Sequence, residues 1–114
     1  MWSGFPVLKN CRRYFWTRHV QDKMRQYNLS PQSIKRVIKN PDRVEKGIAP
    51  RTVAVMQDRS SKTQTKELWV MYQLMSKQES GRKKIISAWI YPGKTKPREK
   101  IIIPAEVQAI LDKL

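Results

Sequence analysis

The sequence predicts an α+β protein in which a two-helix unit packs on an antiparallel β-meander, with an extra C-terminal helix. Three observations predict it. Residues 16–42 place apolar side chains at helical spacing on both sides of a capped turn. Residues 51–57, 67–75 and 83–91 are apolar at strand length or alternate, with turn residues between them. Residues 104–114 return to helical spacing.

Taken in order, residues 1–11 form a basic arm interrupted by Gly4 and Pro6. Arg12–Trp16 reads as a short first strand, because Tyr14, Phe15 and Trp16 suit a pleated surface. Trp16, Val20, Met24 and Tyr27 then recur at the spacing of one helical stripe. On that helix Arg18, Asp22 and Arg25 occupy the opposite face, while His19, Lys23 and Gln26 line a flank between core and water. The second helix opens at Ser30, whose hydroxyl can accept from an otherwise unpaired backbone N–H, followed by Pro31 at the first helical position. Leu29 and Ile34 are spaced for a hydrophobic staple; Ile34, Val37 and Ile38 form the apolar face, and Asn40-Pro41 ends the helix.

Beyond Pro41 the period changes. Arg43–Lys46 begins a short strand or turn, broken by Gly47 and Pro50. Arg51–Gln57 alternates as a strand, with Val53 and Val55 on one side and Thr52, Ala54 and Met56 on the other. A polar loop covers residues 58–65. Glu67–Met75 is the central strand, with Leu68, Val70, Tyr72 and Leu74 on one face and Trp69, Met71 and Met75 on the other; apolar residues on both sides predict that both faces are covered. Ser76–Arg82 is a turn in which Gly81 supplies a left-handed conformation, and Lys83–Tyr91 is the last strand. Residues 93–100 form a basic linker, Ile101–Ile103 a short strand or hydrophobic lead-in, and Val107, Ile110, Leu111 and Leu114 face one way on the final helix.

Composition narrows the function. The chain of 114 residues is 39% hydrophobic, which suits one folded domain. Its 24 Lys+Arg against nine Asp+Glu give a formal charge of +15, and the excess is spread along the chain rather than held in a tail. Such a field predicts an anionic partner, nucleic acid before all others. No stretch pairs a basic face with a large apolar one, so a membrane is not expected as a partner. A single cysteine, Cys11, and a single histidine, His19, argue against an internal disulfide, a cysteine-based zinc site and any metal centre, and no cofactor is expected. The absence of acids in the first 21 residues superficially suggests a transit peptide, but Trp2, Pro6 and the Tyr14–Trp16 cluster argue against it.

The ordered run H-V-Q-D-K-M-R-Q-Y-N-L-S-P-Q-S-I-K-R-V-I-K-N-P-D-R-V, with the strand pattern ending near I-S-A-W-I-Y-P, resembles small proteins related to the RelE and BrnT toxins, in particular an uncharacterised small domain family in that group. The resemblance spans about Tyr14 to Pro92. It implies a RelE-like domain over residues 12–92, followed by a basic linker and helix over 93–114. It further implies metal-independent endoribonuclease activity, RNA (free or ribosome-bound) as substrate, an acidic antitoxin as partner and a cytoplasmic location.

Ribonucleases of this kind use the 2′-hydroxyl as nucleophile. They need a proton acceptor, a proton donor and cations for the developing phosphate charge. By resemblance, His19 is the first catalytic candidate and Tyr91 matches a tyrosine at the end of the last strand. Lys84 stands on the face opposite Ile85 as a further proton carrier. Arg25, Arg51, Arg82 and Lys83 are the candidate RNA contacts, since guanidinium and ammonium groups suit phosphate. Without the resemblance, His19 reads as a packed histidine making one hydrogen bond, Tyr91 as an edge residue, and the charges as solvated ends. The competing reading is of a different class: a non-catalytic nucleic-acid-binding or ribonucleoprotein-docking module. Exposed Trp69, Tyr72, Trp89 and Tyr91 would then stack bases, although period-two counting puts Trp69 and Tyr72 on opposite faces.

Overall fold

The computed structural model describes residues 13–47, 49–75, 82–96 and 103–113. The expected arm at 1–11 with Cys11, the turn at 76–81 with Gly81, the linker at 97–100, Ile101 and Leu114 lie outside the described residues.

The elements follow in the order β1 (Tyr14–Trp16), α1 (Arg18–Tyr27), α2 (Pro31–Lys39), β2 (Arg43–Lys46), β3 (Thr52–Asp58), β4 (Lys66–Leu74), β5 (Lys83–Pro92) and α3 (Ala105–Leu111). The five strands form one mixed sheet of order β1-β5-β4-β3-β2. Strands β2 to β5 are an antiparallel meander, one strand longer than the three-strand core of the sequence reading, and β1 adds to β5 in parallel.

Short strand β1 pairs only with Lys83–Ile85, so β5 would run on from Ile86 with an unpaired edge. Helix α1 covers it. Thr17 makes the transition: its hydroxyl donates to the carbonyls of Ile85 and Ile86 at 2.7 and 3.1 Å, and its oxygen accepts from the Val20 N–H, capping α1. At this point β5 is irregular, its register against β4 shifting between Met71, opposite Ser87, and Tyr72, opposite Ile85. Trp16 therefore belongs to β1 and not to the helical stripe expected of it, yet it is buried in the same cluster as Val20 and Met24.

Ser30 caps α2 as expected, accepting from the Ser33 N–H at 3.1 Å. Asn28 ends α1 in the left-handed conformation, and Leu29 and Ile34 share one core cluster. Helix α2 lies across β3 and β4 and closes the first face of the sheet, where Val55, Leu68, Val70, Ile85 and Ala88 meet Val20, Met24, Ile34 and Val37. The second face carries Ala54, Met56, Trp69, Met71, Ile86 and Trp89, covered by Val107 and Leu111 of α3. Trp69 and Trp89 stack at 6.2 Å between ring centroids and are buried, so these two rings are core and not base-stacking platforms. Both faces are covered, as the apolar character of β4 predicts.

Several limits of the three expected strands shift by one residue. Strand β3 begins at Thr52 because Arg51 is left-handed, with φ 60°, and β4 spans Lys66–Leu74.

Replacing Thr17 with Ala removes the cap of α1 and its hold on β5 together. It should cost ~1–2 kcal/mol, against ~1 kcal/mol for Ser30→Ala, which removes a cap alone. Urea unfolding at unchanged m-value measures both.

Candidate nucleic-acid interface

Registering five strands brings together basic residues that are far apart in the sequence. At the end of the sheet where β5 begins stand Arg13 before β1, Lys46 ending β2, Arg51 before β3, and Arg82, Lys83 and Lys84 at the start of β5. Backbone hydrogen bonds tie these positions to one another: Lys83 N–H donates to the Arg13 carbonyl at 2.8 Å, and Leu74 N–H to that of Arg51 at 2.9 Å. Met75 N–H donates to the Arg82 carbonyl at 3.1 Å. Across four strand intervals the row spans ~19 Å. Several of the cations are held over aromatic rings, Arg82 over Phe15 at 5.2 Å, Lys83 over Tyr72 at 5.7 Å and Lys35 of α2 over Tyr14 at 5.4 Å.

The described carboxylates are engaged elsewhere. Asp22 pairs with Arg25 and Glu45 with Arg43; Glu106 pairs with Lys23. Asp42 accepts from the Asp58 N–H, and Asp58 accepts from Ser60 and faces Lys94. Asp112 accepts from Gln108. Glu67 is buried at 3% exposure, yet its oxygen accepts from Trp69 Nε1 and from the backbone and hydroxyl of Thr95, so it is a structural anchor for the chain after β5. Of these acids only Glu45, the residue before Lys46, lies near the basic strand ends, and it turns back to Arg43.

The other sequence candidates lie as follows. His19 projects from α1 toward the second face, its Nε2 hydrogen-bonded to the Ser87 hydroxyl at 2.9 Å. Lys23, on the same flank, is buried rather than half-wet, because it reaches Glu106 of α3 and Gln26. Burial holds the His19 pKa below 6.5; the positive charge of Lys23 lowers it further, against the opposing pull of Glu106 and Asp22. Lys84 shares the second face, opposite Gln73. Tyr91 sits opposite Glu67 and packs against the second core cluster. It is four residues beyond Ser87, ~13 Å along the strand, with Trp89 on the same face between them. The structure therefore does not bring Tyr91 to His19 as a proton-transfer partner. Arg25 is on the solvent side of α1, turned away from His19. Of the four RNA-contact candidates, Arg51, Arg82 and Lys83 converge and Arg25 does not.

Two members of the surface, Arg13 and Lys46, escaped the sequence reading, as did Ser87. Lys46 joins the row only because the β2–β3 hairpin returns it beside Arg51, and Arg13 only because β1 pairs in parallel with β5.

No family model, curated protein or solved structure matches the chain. Among the described residues no helix is long and apolar enough to cross a membrane, and no three His, Cys, Asp or Glu side chains form a group able to hold a metal ion.

The His19 shift has a definite sign in stability. Its folded pKa lies below the unfolded value of 6.5, so the neutral ring's contribution is complete above that value and is lost as pH falls through the folded pKa. Between about pH 7.5 and about pH 5 the urea midpoint of the parent should fall further than that of His19→Gln, the difference isolating this group from the carboxylates.

Proposed function

We propose that this chain binds RNA through the basic end of its sheet. The observation that carries the reading is the segregation of charge: cations from four strand ends form one row, and the described carboxylates are engaged with partners outside it, Glu45 beside Lys46 turning back to Arg43. Phosphates of a nucleic-acid backbone match such a row, because each cation they meet releases condensed counterions. The order strand, helix, helix, meander accords with the RelE/BrnT resemblance of the sequence. On that reading an acidic antitoxin would compete for the same row.

Binding should weaken steeply with salt. For a single-stranded RNA, each of Lys46→Gln and Lys83→Gln should reduce the slope of log K against log salt by ~0.7. Lys66→Gln and Lys94→Gln, at the opposite end of the sheet, should leave it nearly unchanged. Fluorescence anisotropy over a potassium chloride series reads both; equal effects from the two ends would remove the row as the site.

One observation favours a second, catalytic reading. The His19 ring, its pKa lowered by burial and by Lys23, is hydrogen-bonded to Ser87 with Lys84 on the same face of the sheet, an arrangement that supports proton transfer to or from a bound RNA. As an endoribonuclease of the RelE/BrnT kind, the protein would cleave RNA in excess EDTA, alone or with ribosomes, and His19→Gln would lower the rate by about 100-fold or more. RNA left intact under both conditions returns His19 to a packing role and leaves binding as the function.

A further inference from the structure

The β2–β3 turn and the end of β4 line an open hollow of about 510 Å³, within the ~300–1,000 Å³ typical of small-molecule sites. Its walls are apolar, formed by Val53, Leu74, Ala49 and Pro50, and Lys46 and Arg51 stand on its rim. Leu74 is 41% exposed, one of two large hydrophobic side chains left open among the described residues. The other, Val44, stands two residues from Lys46 and pairs with Val55, on the same first face of the sheet. Exposed apolar surface is therefore concentrated beside the cationic row.

The turn is built tightly. A Cβ on Gly47 would lie 2.0 Å from Thr52 Oγ1, so only glycine lets the two arms of the hairpin approach this closely. The Gly47 N–H donates to the Thr52 carbonyl at 2.8 Å, and buried Thr52 donates its hydroxyl to the Ala49 carbonyl. Arg51 is left-handed, where glycine or asparagine would sit with less strain. The other non-glycine residue of positive φ, Asn28, is accounted for as a helix cap. At Arg51 the strained backbone keeps an exposed guanidinium at the mouth of an apolar hollow.

We infer that this hollow receives an unstacked base of a single-stranded nucleic acid, while Lys46, Arg51 and Lys83 hold the flanking phosphates. The inference rests on the RNA-binding reading above and adds what that reading lacks, a means of choosing single strands. A duplex offers the same phosphates but keeps its bases stacked inside, so it satisfies the row and leaves the hollow empty. A single strand can turn one base out against Leu74 and Val53, removing their apolar surface from water while its phosphates follow the strand ends.

The test compares a single-stranded RNA, the same strand carrying abasic sites, and a duplex of the same length, at one salt concentration. The parent should bind the single strand about tenfold more tightly than the duplex, and the abasic strand should fall to the duplex level. Leu74→Asn should abolish the preference and leave duplex affinity unchanged. Should that variant unfold, the isosteric Val53→Thr probes the same wall. Arg51→Gly relieves the strained backbone, so it folds; it should weaken binding to all three probes and keep their ratio. Equal affinity for single strand and duplex, or a preference that survives both wall variants, overturns the base pocket while leaving the basic row standing. Tighter binding of poly-glutamate than of the single strand at matched charge, weakened by Leu74→Asn, overturns it in favour of an acidic protein partner in the hollow. Failure to bind any probe overturns the pocket together with the RNA-binding reading.

Discussion

The structure depends on how the outer edge of β5 is completed. A strand of ten residues is given a three-residue neighbour, and the rest of its edge would expose unpaired backbone groups. Thr17 resolves this with one side chain, bonding two successive β5 carbonyls while capping the helix that takes over from β1. Because α1 starts there, its apolar stripe enters the first core, and His19 and Lys23 turn toward the second face. The Lys23–Glu106 ion pair then links α1 to α3, whose Val107 and Leu111 cover the stacked tryptophans. Both cores and the setting of His19 thus follow from one crowded junction at the β5 bulge.

The same sheet sorts the charges. Burial of apolar residues on both faces leaves strand ends, loops and outer helix faces as the places where cations can remain hydrated. The described acids pair locally, within α1, within β2 or between α1 and α3. At the end where β5 begins, the hairpin turn between β2 and β3 and the parallel pairing of β1 collect cations from four strand ends. A net charge of +15 acquires a direction in this way, and the direction is set by strand register.

Much of the fold was legible in the chain. The cap at Ser30, the stop at Asn40-Pro41 and the alternation in β3 and β4 are local signals, fixed by hydrogen bonding and side-chain period within a few residues. Trp16 was read both as the end of the first strand and as the start of the helical stripe, because an apolar residue four positions before Val20 fits either; the structure keeps it in the strand. The site was legible only in part. Arg51, Arg82 and Lys83 stood out as cations near strand ends, whereas Lys46 and Arg13 carry no local mark, and Tyr91 was grouped with His19 although Trp89 stands between Tyr91 and Ser87, the partner of His19.

By itself, then, the sequence determined the elements, the two apolar faces of β4 and the excess of positive charge, because each depends on residue type and short-range period. Tertiary structure alone decided that β1 lies parallel beside β5, that α1 completes its edge, and that α3 occupies the second face. It also decided which cations share one row and that a glycine-tight turn leaves an apolar hollow beside them. These are contacts between residues tens of positions apart, and no local pattern records them, because their geometry arises only when strands are registered and both faces are buried together.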